Sequence, residues 1–270
     1  MKFINKTLLL SAGAALGLFA ACDDIDKENR LIPVERVVSE KTVLMTEFSG
    51  QRCTNCPDAA EIIHSLSEAN PGKFVAVAMH PSESGFCEPI GPVKLTSPVA
   101  DEYFRYYGRP ANFPTASIDF GSLNESKDGW SADVMTVLNS AVPPATLHAL
   151  PSYDDSSRTL TARCEVSFTE NVDAETSLLL LVTEDGIVGP QQSRQGLIRD
   201  YVFNHILRAS MNGTWGESIG SGFQAGESVT VEANLKLADN WNPENCNVVA
   251  VLLDTRTRRA LQAAEISVSL

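Results

Sequence analysis

The chain has 270 residues, 34 of them acidic and 21 basic, for a formal charge of −13, and 43% are hydrophobic and 20% charged. That composition is that of a soluble globular protein with room for one large domain or two ordinary ones. The acidic balance argues against nucleic acid and against electrostatic binding to anionic lipid. Beyond residue 21 no apolar run approaches the length of a membrane span.

The first elements are a targeting device. Lys2 and Lys6 form a basic start, and Thr7 to Ala21 is an apolar stretch too short to span a bilayer. Leu18-Phe19-Ala20-Ala21-Cys22 then brings small residues up to a cysteine. Residues 1–21 read as a secretory signal. The ending resembles a bacterial lipoprotein box, with Phe19 where the pattern usually has Leu. The resemblance implies lipidation at Cys22 and a membrane link through that lipid alone. The alternative is ordinary cleavage after Ala21, leaving a bare thiol. Without Lys2 and Lys6 the remaining chain carries 19 basic and 34 acidic residues, a formal −15. Residues 22–40, opening with Asp23-Asp24-Ile25-Asp26, read as a polar tether. An acidic cluster after the cysteine resembles the surface-export signal of lipoproteins in some Gram-negative anaerobes. In enteric bacteria an Asp there points instead to inner-membrane retention. The expected location is the outer membrane, on its periplasmic face or at the cell surface.

A folded unit is expected over residues 41–143. Val43 to Phe48 is an apolar run of strand length. After Gly50 come Cys53 and Cys56, and Ala59, Ile62, Ile63 and Leu66 recur at helical spacing behind Pro57. Asn70-Pro71-Gly72 stops that helix. Phe74 to Met79 lacks alternation, as a strand buried on both faces does. Strand, helix and strand make a crossover unit. An irregular stretch, Pro81 to Thr96, follows. Ser97-Pro98 starts a second helix, ending at Gly108. Ala111-Asn112-Phe113-Pro114-Thr115 leads into a third strand, Ser131 to Ala141 is a third helix, and Pro143-Pro144 closes the unit.

With these elements in place, "EFSGQRC", the C-x-x-C opening a helix, and the later Phe113-Pro114-Thr115 together resemble the thioredoxin superfamily. The resemblance implies a thioredoxin-like domain in which Cys53 attacks as thiolate and Cys56 resolves the mixed disulfide. It implies that Glu47, a buried acid, exchanges a proton with Cys56. It further implies that Pro114 is cis, with the backbone at Phe113 pairing with an extended substrate segment. A helix N-terminus favours the thiolate, and Arg52 next to Cys53 would add to this. Two departures stand out: Arg52 replaces the usual tryptophan, and Thr54-Asn55 is not a familiar intervening dipeptide. The Pro81–Thr96 stretch is longer than in a minimal thioredoxin and could cover the site. The competing reading of Cys53 and Cys56 is a closed structural disulfide. With no second C-x-x-C and no Cys/His pair at zinc spacing, neither metal nor cofactor is expected. His80 could be a base near the cysteines, the plainer expectation being a hydrogen-bonded loop histidine. His64 falls on the solvated side of its helix.

Residues 144–270 switch to alternation. Leu160, Ala162, Cys164, Val166 and Phe168 interleave with polar residues, as do Val229 to Leu237. Leu178 to Val182 reads as a central strand, and Val248 to Leu253 and Glu265 to Leu270 follow. About seven strands with turns between them predict an immunoglobulin-like β-sandwich. Cys164 and Cys246 lie on apolar faces, either bridged or as two core thiols, and Cys87 is a bystander or a third redox partner. Asp200 to Ala209 reads as one alternating strand before a turn, with Trp215 packing at a corner and no catalytic role for His205.

The stretches Tyr201-Val202-Phe203-Asn204-His205-Ile206-Leu207-Arg208-Ala209 and Asn212-Gly213-Thr214-Trp215-Gly216-Glu217, with "GQRCTNCPDA" and the lipoprotein start, resemble the twenty-eight-kilodalton outer-membrane lipoprotein family of Gram-negative anaerobes. Its members are described as outer-membrane proteins, often as adhesins or receptors. The expected fold class is α/β plus all-β. The expected function is thiol–disulfide exchange on thiols or disulfides of exported proteins through Cys53 and Cys56. The alternative is a non-catalytic surface binding protein or adhesin in which that disulfide is structural.

Overall fold

A computed structural model of the protein describes residues 36–38 and 40–268. The signal segment, Cys22 and most of the 22–40 tether lie outside the described residues. In chain order, β1 (Arg36–Val38) and β2 (Val43–Phe48) precede α1 (Cys56–Ala69) and β3 (Phe74–Met79). Next come α2 (Pro98–Tyr106), β4 (Thr115–Ile118), β5 (Leu123–Asn124) and α3 (Trp130–Ser140). The remainder is strand. It runs β6 (Ala145–Asp154), β7 (Thr159–Phe168), β8 (Thr176–Glu184), β9 (Ile187–Ser193), β10 (Gly196–Phe203), β11 (Ile206–Ser210), β12 (Glu217–Gly220), β13 (Ser228–Lys236), β14 (Cys246–Asp254) and β15 (Ala260–Ser267). The fold is therefore mostly β-sheet with few helices.

One long mixed sheet organises the molecule, in the order β15-β14-β8-β11-β3-β2-β4-β5, with β12 also on β8. β2 and β3 are parallel, as a strand–helix–strand connection requires, and β4 runs antiparallel to β2. A second sheet, β1-β6-β7-β13, packs on one face of β8 and β14. Side chains alternate across a strand, so β8 and β14 divide two cores. Leu178, Leu180, Val182, Val248, Ala250 and Leu252 meet the second sheet. Their neighbours Leu179, Leu181, Val249, Val251 and Leu253 join Val99, Ala100, Tyr103 and Phe104 of α2. β8, buried at every residue, has the unbroken apolar pattern because both its faces are covered. α1 and α3 pack against Val43, Met45 and Ala76 in a further cluster.

Several expectations are corrected. The sheet crosses the expected boundary at residue 143: β11 pairs with β3 through Ile206 and Ala78, and with β8 on its other side. The sandwich is thus not a free-standing immunoglobulin-like body. Its second layer is the far half of the long sheet, and the described residues form one compact unit. The tether is shorter than 22–40, because β1 pairs with β6 between Arg36↔Ala149 and Val38↔Leu147. Asp200 to Ala209 is not one strand. His205 takes a left-handed conformation (φ 59°), which breaks the extended run and sends β10 and β11 into different sheets. The last strand begins at Ala260 rather than Glu265. Of the two alternatives for Cys164 and Cys246, the structure has the second, two free and buried core thiols. Trp215 does pack at a corner, against Tyr103, Tyr106 and Phe120, with Arg258 4.4 Å above its ring.

Candidate functional site

The site lies where three strand ends meet. Phe48 pairs with Met79 on one side and Thr115 on the other. This register delivers Ser49–Gly50, His80 and the Phe113–Pro114 segment to one sheet edge. From Gly50 the chain turns tightly, Cys53 N donating to Gly50 O at 3.0 Å, and enters α1 at Cys56 with Pro57 in its first turn. Pro57 is tolerated there because its missing N–H has no intrahelical partner. Ala59, Ile63 and Leu66 bury the inner face of α1. Its N-cap residue, Asn55, makes no side-chain cap; its Oδ1 accepts from Arg194 Nε at 2.8 Å. Amides at that helix end keep their capacity to stabilise negative charge.

Cys53 and Cys56 form a disulfide. They are 1% and 3% exposed, so an approaching thiol meets covering groups first. One cover comes from the Pro81–Thr96 stretch. Phe86 stacks on Phe113 at 5.1 Å, and its carbonyl accepts from Arg52 N at 2.9 Å. A Cβ at Gly50 would collide with that carbonyl, which is why glycine stands there. Phe113, Phe48 and both cysteines share one buried cluster, and the Phe113–Pro114 peptide is cis. Cys87 belongs to the same cluster; its thiol donates to Ser49 O at 3.1 Å, and burial pushes its proton affinity up.

The second cover is the two-stranded β9–β10 sheet, from the far half of the chain. Gln191, 2% exposed, donates through Nε2 to Cys53 O at 2.9 Å and Gly50 O at 3.2 Å. Gln192 N donates to Gln51 O at 2.8 Å, and Gln51 Nε2 to Pro190 O at 3.0 Å. Sequence reasoning missed Gln191, which is 138 residues from Cys53 and belongs to no local motif. The outer side of this hairpin is apolar and open, with Val188, Leu197 and Val202 exposed.

Behind the disulfide is a cavity of about 290 Å³, lined by Cys56, Glu47, His80, Gln191, Tyr201 and His205 among others. Glu47 is 3% exposed and its Oε1 has no hydrogen-bond partner. Burial pushes its carboxyl up to about 8, a Ser49 hydrogen bond opposing. At neutral pH it therefore holds a proton. His80 is also buried. It sits in the core at the end of β3, where the Ala78 backbone engages the ring, but neither ring nitrogen has a well-aligned hydrogen bond. Burial pulls its proton affinity down to about 3, the Ala78 backbone opposing slightly, leaving a neutral imidazole.

The other candidates separate. Arg52 is exposed, and its guanidinium is committed to the Glu88 carboxylate at 3.4 Å and carbonyls of Glu88 and Pro89, which spends its charge on the covering stretch. His64 is on the solvated face of α1, 3.3 Å from Glu68. His205 lies 3.5 Å from Asp185, and burial lowers its proton affinity. No group of metal-ligating residues forms a cation site among the described residues, and no helix among them is long and apolar enough to cross a membrane.

Comparison with known proteins adds the following. The family model described as outer membrane protein Omp28 matches residues 100–269, from α2 to the end of the last strand; Cys53 and Cys56 lie outside the match. Among solved structures, the fold is similar to HBP35 of Porphyromonas gingivalis, at 16% identity over 85% of this chain and 76% of that one, with a TM-score of 0.65. It is also similar to a structural-genomics protein of Agrobacterium tumefaciens, at 12% identity over 86% and 96%, TM-score 0.52. A domain of the outer membrane lipoprotein Omp28 from Porphyromonas gingivalis aligns at 17% identity over 47% of this chain and 90% of that one, TM-score 0.33. No curated protein matches the chain. At these identities the structural likenesses show the fold alone.

Proposed function

This chain belongs to the outer membrane protein Omp28 family, and on that premise we propose that it is an outer-membrane protein that exchanges thiols and disulfides with exported proteins through a thioredoxin-like site. The observation that carries the reading is the convergence of four features at one sheet edge: the Cys53–Cys56 disulfide at the start of α1, the buried protonated Glu47, the cis Phe113–Pro114 segment and the covering hairpin. In this reading residues 41–143 are the thioredoxin-like part and 144–270 the β-rich part that chooses partners, while lipid at Cys22 holds the protein on the outer membrane.

The chemistry follows from the positions. A substrate thiolate attacks Cys53 Sγ, the S–S bond breaks, and its electron pair leaves on Cys56. Glu47, holding a proton in the shared cavity, supplies it to that sulfur. The helix N-terminus lowers the cost of the thiolate states. Phe113 offers backbone to an extended substrate segment once the covers lift. The Gln191 hydrogen bonds make that lifting a step of its own, because both cysteines are closed off at rest.

The same burial favours a second reading, a surface binding protein with a structural disulfide, whose docking face is the exposed apolar side of β9–β10. Trapping separates the two. In a Cys56→Ser variant, Cys53 has no resolving partner and should accumulate mixed disulfides with exported proteins, released by reductant. Absence of such adducts, with wild-type partner binding retained, would favour the binding protein.

A further inference from the structure

His80 follows the last residue of β3 and is 2% exposed. The edge of its ring faces Phe203, with centroids 6.3 Å apart and planes at 87°, so the ring is held by packing. Both its nitrogens lack a well-formed hydrogen bond, and it lines the same cavity as Cys56 and Glu47. The Ala78 backbone engages this ring only weakly, and ring nitrogens short of good partners in the core are costly unless the cavity supplies them. At about 290 Å³ it has room for several waters. A neutral imidazole bonded to such waters accepts at one nitrogen and donates at the other.

Charged and titratable groups reach this space from every element around it. Glu47 projects from β2, Glu61 and His64 from α1, and Tyr201 from β10. His205 lies before β11, and Arg208 on β11 acts on His80 by repulsion. Glu61 and His64 are exposed and connect the space to bulk solvent. Between them and the disulfide, His80 and Glu47 are the buried groups able to carry a proton.

We propose that His80 is the proton relay of Cys56 in the closing direction, passing the Cys56 proton through the cavity to solvent when the disulfide closes, while Glu47 keeps the donor role when it opens. This rests on the exchange function proposed above and adds a residue to it. In the closing direction Cys53 thiolate attacks a substrate disulfide; that bond breaks and one substrate thiolate leaves. Cys56 then loses its proton and attacks Cys53 Sγ, expelling the second substrate thiolate. The protein dithiol is oxidised and the substrate disulfide reduced, and both thiolates take protons from water. Glu47 is already protonated at neutral pH, so it is a poor acceptor for the Cys56 proton. The His80 lone pair is free. Because burial disfavours its cation, His80 gains a proton at one nitrogen as it releases one from the other.

The test uses the full reduced chain and Ellman's disulfide, which releases one coloured thiolate on attack by Cys53 and a second on closure by Cys56. His80→Gln and His80→Ala should leave the first phase unchanged and slow the second about 100-fold, the low end of general acid–base effects. Added imidazole should restore the second phase in the Ala variant, and rising buffer concentration should speed it in the Gln variant. A purely structural role for His80 predicts neither rescue. A wild-type second phase in both variants, or a slowing that neither imidazole nor buffer relieves, would overturn the relay. Failure of the parent reading looks different: wild type would close in this assay yet trap no exported protein.

Discussion

Replacing Glu47 by Gln tests the buried acid directly. The substitution keeps the shape and removes the titration. The Glu47 carboxyl stands at about 8 against an ordinary 4.5 because burial penalises its charge. Its folded-state affinity is raised, so the native state holds a proton that the unfolded chain releases from pH 4.5 upward. The associated stability is complete below 4.5 and is lost as pH rises to about 8. His80 acts in the opposite sense. Its folded value is lowered from 6.5 to about 3, so its contribution is present above 6.5 and lost as pH falls towards 3. Between 6.5 and 8 the Glu47 slope of the pair acts alone, at about 1.4 kcal/mol per pH unit. Urea unfolding of wild type and Glu47→Gln at pH 6.5 and 8.5 therefore isolates it, since the groups common to both cancel. The variant should gain about 2 kcal/mol on wild type across that interval. A difference constant to within about 0.5 kcal/mol would mean Glu47 is ionised or solvated in the fold, and the proton-donor role would fall with it.

Gln191→Ala removes the Nε2 donations to Cys53 O and Gly50 O. Losing about 1.4 kcal/mol of local hydrogen bonding should raise the rate of disulfide reduction by small thiols about tenfold with little change in global melting; an unchanged rate would show that the hairpin does not guard the disulfide. Arg208 and Glu184 form a buried pair at 2.6 Å, the Arg also donating to Lys94 O. Arg208→Met strands the carboxylate and should cost about 3–5 kcal/mol in denaturant unfolding, partly recovered by adding Glu184→Gln; a cost under about 1 kcal/mol would contradict the burial of that pair. Burial pushes Cys164 and Cys246 up to about 12 and Cys87 higher still. Alkylation mapped by mass spectrometry should leave these three unlabelled in native protein and label them all in denaturant, and a Cys164–Cys246 bridge would be seen as a linked peptide.

Local pattern carried much of this fold. The apolar runs Val43–Phe48, Phe74–Met79 and Leu178–Val182 became strands, and the spacing of Ala59, Ile63 and Leu66 became the buried face of α1. The alternation of Leu160 to Phe168 became the inward face of β7. What escaped was long-range. The two halves share a sheet through the pairing of Ile206 with Ala78, and nothing in either segment names its partner. The left-handed turn at His205 hides inside an alternating run, since histidine gives no glycine-like warning there. At the site, Cys53, Cys56, Glu47 and Pro114 were legible because each sits in a local motif. Gln191 was not, because a glutamine on a short strand announces no contact with a loop far away. The Arg52–Glu88 ion pair was not legible either, because Glu88 lies in the irregular stretch.

The central claim is that Cys53–Cys56 turns over. Its reduction potential, equilibrated against glutathione and then dithiothreitol, is the direct measure. The account predicts a value between about −120 and −270 mV, among thiol–disulfide catalysts. A value below about −300 mV, beyond reduction by the glutathione pool, would mark a structural disulfide and contradict the account.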